Sequence, residues 1–204
     1  MATVKVSELI TRAKTLAQDV DYVQWTLEEW LGWYAECILT ISGLRPDAYV
    51  ETRTLQLKAG SHQKVPDDAF KLLDIICNTK SGRAMRPIER ELLYQQYPSW
   101  PVEKGTEPHY FTLESLTPRE FYVFPAAKEG HEVQAVLSLA PPKAKSEDDV
   151  IAVDDWYAPA IVDYLLYRAY LKNAEFSNDF ARANHFIQSF YARINGKFGT
   201  KGDD

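Results

Sequence analysis

Trp156-Tyr157-Ala158-Pro159-Ala160-Ile161-Val162-Asp163-Tyr164-Leu165-Leu166-Tyr167-Arg168-Ala169-Tyr170-Leu171 is the stretch that decides the fold, because Asp163 and Arg168 are its only charges. A helix that is apolar almost all the way round is enclosed by protein. It is either the centre of a helical bundle or one face of it meets another subunit. Asp154 or Asp155 can cap its start, and Pro159 is tolerated because it lies in the first turn. A short connection, Asn173 to Asn178, leads to a last helix with Ser177 or Asn178 as its cap. Phe180, Ala183, Ile187, Phe190, Tyr191 and Ile194 share one face of that helix, opposite Arg182 and Arg193. Gly196 is a stop, and the Gly-rich charged segment Lys197 to Asp204 reads as a flexible tail.

The N-terminal 45 residues are also helical. Leu9, Ile10, Ala13, Leu16 and Ala17 recur at helical spacing behind Ser7, a candidate cap. Asp19-Val20-Asp21 is a break. Thr26 and Glu29 then form a capping box, and Leu27, Trp30, Leu31, Tyr34, Ile38 and Ile41 make the apolar stripe that follows. Gly43 and Pro46 end the helix.

Residues 47–153 differ in kind, holding nine of the eleven prolines. Val50 to Leu57, Tyr110 to Leu113, Phe121 to Phe124 and Val133 to Leu139 read as strands. The last two are expected to pair as a hairpin through Lys128-Glu129-Gly130-His131. Leu72 to Cys77 is a strand or a helical turn, and Glu89 to Tyr97 a short helix. The expected fold is therefore α+β: one domain over 1–204, with a helical bundle core (1–45 and 154–196), a β-rich insertion (46–153) and the tail 197–204.

Composition narrows the function. A chain of 204 residues buries roughly 70% of its unfolded surface, enough for a core without disulfides or metal. The longest uncharged run is eleven residues, Leu92 to Val102, too short to span a membrane, and no signal peptide is expected. A net charge of -6 argues against a generic nucleic-acid binder. Cys37 and Cys77 read as inert thiols, and His62, His109, His131 and His185 have no partners at ligand spacing, so no metal or cofactor is expected. Aromatic residues reach 13%, a composition that interfaces favour.

No catalytic constellation emerges. The adjacent carboxylates Glu28/Glu29, Asp67/Asp68, Asp148/Asp149 and Asp154/Asp155 point different ways on one element, and helix starts favour them. Gly196, Gly199 and Gly202 cannot form a phosphate loop without a following helix. The acidic run Glu147 to Asp155 is a solvated loop, or a surface that repels DNA phosphate.

The order of motifs resembles the head-to-tail adaptor (connector, or head-completion) proteins of tailed bacteriophages. The residues that carry this begin with Leu9-Ile10-x-Arg12-Ala13 and Trp25-Thr26-x-Glu28-Glu29-x-Leu31. They continue through Leu57-x-x-Gly60-x-x-Gln63-x-Val65-Pro66-Asp67-x-Ala69, Leu72-Leu73-Asp74, Gly82-Arg83-Ala84, Arg90 and Pro98-x-Trp100. Pro108-x-Tyr110 and Arg119-x-Phe121-Tyr122-Val123-Phe124-Pro125 follow, and Asp155-x-Tyr157-x-x-Ala160-Ile161-x-Asp163-Tyr164-x-x-Tyr167-Arg168-Ala169-Tyr170 closes the set.

The resemblance implies a structural virion protein, not an enzyme, made in the host cytoplasm and placed at the head–tail interface. Its partners would be the portal protein, a tail or nozzle protein and its own copies in a ring, usually of twelve. Double-stranded DNA would pass through without sequence-specific binding. Phe190, Arg193 and Phe198, an aromatic and basic strip leading into the tail, are the candidate portal contacts. Two alternatives stand beside this: a neck or tail stopper with the 119–139 hairpin as its plug, and a virion-associated cell-wall hydrolase using Glu28 with a spatial partner.

Overall fold

The computed structural model describes residues 2–172 and 177–196, with only the backbone of Ser177. The protein is α+β and divides into two compact units, one of residues 1–48 with 141–204 and one of Tyr49–Ala140. The first holds four long helices, α1 (Val6–Leu16), α2 (Leu27–Leu44), α4 (Ala158–Lys172) and α5 (Ser177–Gly196). The second holds strands β1 (Val50–Leu57), β2 (Gly60–Lys64), β3 (Ala69–Asn78), β4 (Arg86–Pro87), β5 (Tyr110–Leu113), β6 (Glu120–Ala127) and β7 (His131–Leu139), with the short helix α3 (Arg90–Gln96).

In the helical unit α4 is central, packed by α1, α2 and α5. That accounts for its sequence: Ile161, Leu165, Leu166 and Ala169 are fully buried, and Val162 and Tyr164 nearly so. The remainder of this core is aromatic. Trp25, Trp30 and Trp33 stack edge to face, with centroids 5.7 and 5.1 Å apart. The buried stripe of α2 is Trp30, Trp33, Tyr34, Cys37, Ile38 and Ile41, so Cys37 lies on it and Leu27 and Leu31 flank it. Burial pushes the Cys37 thiol up, as it does the Tyr34 phenol, which is raised to about 12.

The ends of these helices are fixed in two ways. Thr26 and Glu29 close the expected capping box: Glu29 N donates to Thr26 Oγ1 at 3.3 Å and Thr26 N to Glu29 Oε2 at 3.0 Å. Glu29 is also bonded to Lys172, which with the Thr26 amide holds its carboxyl below the usual range. Ser7 is not the cap of α1. The N-cap is Lys5, two residues earlier, and the Val6 and Ser7 amides donate to Asp149 O (2.9 Å) and Glu147 O (2.7 Å). Asp154 takes the N-cap position of the helical turn that leads into α4, with Tyr157 N donating to its carbonyl at 2.9 Å, but its side chain makes no cap hydrogen bond. Asp155 instead accepts from Thr3 N, Thr3 Oγ1 and Val4 N at 2.8, 2.7 and 3.1 Å, tying the N-terminal strand of chain to the start of α4. These three donors hold its carboxyl below the usual range.

In the other unit the strands form two sheets, ordered β1-β7-β3 and β2-β6-β5-β4. The expected hairpin of β6 and β7 does not form. The two strands belong to different sheets, and the turn at Gly130 (φ 72°) carries the chain from one to the other. His131 accordingly begins a strand, and its Nε2–H donates to Asn78 Oδ1 at 2.6 Å. Leu55, Leu72, Phe111, Phe121, Val123, Ala135 and Leu137 fill the space between the sheets. Leu93 of α3 and Trp100 cover Phe124 on the far face of the four-stranded sheet. Both faces of β6 are thus buried, which is why Phe121-Tyr122-Val123-Phe124 is a continuous apolar run with no wet alternate.

Candidate interaction surfaces

The motif residues come together as scaffold. In the β unit, Gly60 takes φ +116°, a backbone region that L side chains rarely adopt, and opens the corner between β1 and β2. Gln63, 3% exposed, reaches back into that corner. It accepts from Lys58 N at 2.9 Å and donates to Lys58 O at 2.8 Å and Gly60 O at 3.0 Å. Every polar atom of that turn facing Gln63 is thereby paired. The next motif lies alongside, since β2 pairs with β6 in the register His62↔Tyr122, Gln63↔Phe121 and Lys64↔Glu120. Arg119 reaches across to Pro66 O and Asp67 Oδ1 at 3.3 and 3.2 Å. Trp100 meets Tyr122 edge on at 5.6 Å. Pro125 lies so close to Gly105 that a Cβ there would sit 2.7 Å from the Pro125 Cβ.

Beside this corner runs a groove of about 760 Å³, lined by Leu55 to Leu57 of β1, by Lys58 after it, and by Lys64, Pro66, Arg119 and Glu120. Its charges are mostly paired already, Lys64 to Glu120 at 3.2 Å and Arg119 to Asp67.

In the helical unit, Asp163 is the buried charge of α4. It accepts from Ser189 Oγ at 2.6 Å and Arg193 Nε at 2.7 Å, clamping α5. Arg193 therefore bends toward α4 and does not stand opposite the apolar face. Phe190 is fully buried against Tyr164, with centroids 5.2 Å apart. Ala183 and Ile194 are buried with it, whereas Phe180 and Tyr191 at the margins of the face are exposed. Phe198 and the tail 197–204 lie outside the described residues.

Two shallow grooves adjoin at Pro159 and Arg193. One, of about 520 Å³, is lined by Arg12, Leu16, Val162 and Asp163; the other, of about 220 Å³, by Trp156, Ala192, Ile194 and Gly196. Leu16 and Trp156 are 61% and 63% exposed, so the two grooves carry open apolar surface.

The candidate chemistry is not assembled. Glu28 stands exposed in the first turn of α2 while Glu29 is engaged with Thr26 and Lys172. Among the described residues no three His, Cys, Asp or Glu side chains are grouped as metal ligands. His62 stacks on Tyr122 and faces Glu120 at 3.3 Å, and His185 is exposed on α5. The acidic run is an anchor as much as a surface. Asp149 accepts from the Lys145 and Ser146 amides, Asp155 binds Thr3 and Val4, and Ile151 and Val153 between them are buried. No helix among the described residues is long and apolar enough to cross a membrane. The sequence places the break at Asp19 but not its cause, a buried carboxylate that takes the Val23, Gln24 and Trp25 amides between α1 and α2. Sequence reasoning did not find Asn78, which donates to Arg83 O and Pro108 O.

No curated protein matches the chain. Residues 4–204 match the family described as SU10 adaptor protein, a span that includes both units and every motif named above. The chain belongs to the SU10 adaptor protein family and is a bacteriophage adaptor, a structural component of the virion.

Proposed function

We propose that the protein forms a ring beneath the portal, joining the DNA-filled head to the tail and continuing the DNA channel. The observation that carries this reading is the family match over nearly the whole chain. In it, α1, α2, α4 and α5 are the bundle that makes the ring wall, with twelve copies in the ring. The unit Tyr49–Ala140 is the insertion that meets the tail or nozzle protein. The end of α5 faces the portal: Phe190 fixes the helix on α4, and Arg193 with the following Phe198 supplies the contact. The net charge of -6 supports a channel that DNA passes without being gripped. The role is assembly, and no bond is made or broken.

Sedimentation of the purified chain with portal rings of the same phage tests this. Portal rings should gain mass in a fixed multiple of 23.3 kDa. Removal of residues 197–204 should weaken the complex. Portal rings that gain no mass would overturn the reading. A complex equally tight without 197–204 would remove the portal contact from that end of the chain.

A further inference from the structure

The groove of the helical unit and the outer face of α2 have complementary chemistry. The face of α2 turned away from α4 carries Glu28, Gly32, Ala35, Leu39 and Gly43, within about 80° of one another on a helical wheel. Leu39 is 53% exposed, an apolar side chain pointing away from its own core. Gly32 lies in the middle of an 18-residue helix, where glycine destabilises by roughly 0.5–1 kcal/mol relative to alanine. Its backbone does not require glycine, and a Cβ there would touch nothing in this chain. The packing of the chain on itself therefore gives no reason for it. The groove between α1 and α5 is the counterpart. Its apolar lining is Leu16, Pro159 and Val162. Arg193 is already neutralised by Asp163. Arg12, at the rim, has no ion pair among the described residues.

We propose that in the ring the outer face of α2 of one copy seats in the α1–α5 groove of the next, Leu39 against Leu16 and Pro159, and Glu28 near Arg12. The inference rests on the adaptor reading. Three observations choose a second copy as occupant: the exposed carboxylate of Glu28 on one face and an arginine without an ion pair among the described residues on the other, an exposed leucine opposite an apolar groove, and a glycine that permits close approach of backbones. Because the two faces differ, the contact is head to tail and propagates around a ring.

The test uses the full chain with portal rings, in a Cys77→Ser background. Leu16→Cys and Leu39→Cys are made singly and together. After oxidation the double variant should give a ladder of covalent oligomers on a non-reducing gel, and either single variant no ladder. Independently, Gly32→Leu should leave the melting temperature equal or higher, since leucine is the better helix former, while lowering ring yield roughly tenfold through overpacking. Rings that form normally on the portal with no ladder, or with Gly32→Leu, would overturn the interface and leave the adaptor reading intact. Failure of the parent chain to form any ring would overturn both.

Discussion

Replacing Gln63 by Glu changes one atom's chemistry at the corner that joins the two sheets. The carboxamide accepts one hydrogen bond, from Lys58 N, and donates two, to Lys58 O and Gly60 O. Gln63→Leu removes all three but leaves these backbone groups near the surface, where water replaces part of the loss. At roughly 0.5–1.5 kcal/mol per bond, the net destabilisation is about 2 kcal/mol. Gln63→Glu keeps the acceptor and turns a second, ionised oxygen toward two carbonyls in a buried position. Repulsion and desolvation raise the total to about 3 kcal/mol at pH 7, or about 10 °C in melting temperature. The sign with pH follows. The ionised form is disfavoured in the fold, so the introduced carboxyl titrates above its unfolded value of about 4.3. Stability relative to the parent is recovered below that value and lost as pH rises through the folded one. Thermal melts of parent, Gln63→Leu and Gln63→Glu from pH 4 to pH 7 measure this. A Gln63→Glu variant no less stable than Gln63→Leu at pH 7, or one whose deficit ignores pH, would refute the role given to the amide.

Asp163→Ala should lower stability by about 2 kcal/mol in urea, since the buried carboxylate joins Ser189 and Arg193 to α4, and a double-mutant cycle with Arg193→Ala should show coupling of about 1 kcal/mol. Gly105→Ala places a Cβ 2.7 and 2.8 Å from Pro125 Cβ and Cγ and should destabilise the β unit by about 1–3 kcal/mol; an unchanged urea midpoint would show that Pro125 yields. Asp155 titrates below its unfolded value, so its hold on Thr3 and Val4 is present above about pH 3.9 and is lost as pH falls through the lower folded value. Hydrogen exchange at Val4 and Ile151 should quicken there, and Asp155→Asn should remove most of that pH dependence.

Much of the fold was legible where one physical signal dominated. The all-round apolarity of α4 required enclosure, and three neighbouring helices supply it. The Thr26–Glu29 box is local chemistry and formed as read. Long-range solutions escaped. The amides of Val6 and Ser7 are met by carbonyls from residues 147 and 149, so Ser7 was a misleading cap. Leu72 to Cys77 was ambiguous for a definite reason. The pairing of β3 with β7 slips between Ala69 and Lys71, Leu72 and Asp74, and Ile75 and Cys77, and buries every third residue, a period close to that of a helix. The β6–β7 hairpin was suggested by Gly130, yet Phe121 to Phe124 carries apolar residues on both faces, which a two-stranded projection could not bury. The plug that the hairpin would have supplied goes with it. At the candidate contacts, the aromatic and basic pattern of α5 was visible, but burial of Phe190 and capture of Arg193 by Asp163 depend on a residue 30 positions away. The motifs themselves proved to be scaffold, since Gln63, Arg119, Trp100 and Asp163 each hold one element to another.

The central claim is position: a ring between portal and tail. Electron microscopy of portal rings incubated with the purified chain, beside portal alone and chain alone, tests it most directly. The account predicts a second ring of density beneath the portal, with copies that can be counted and volume for both units of each. Intact portals without added density would contradict it.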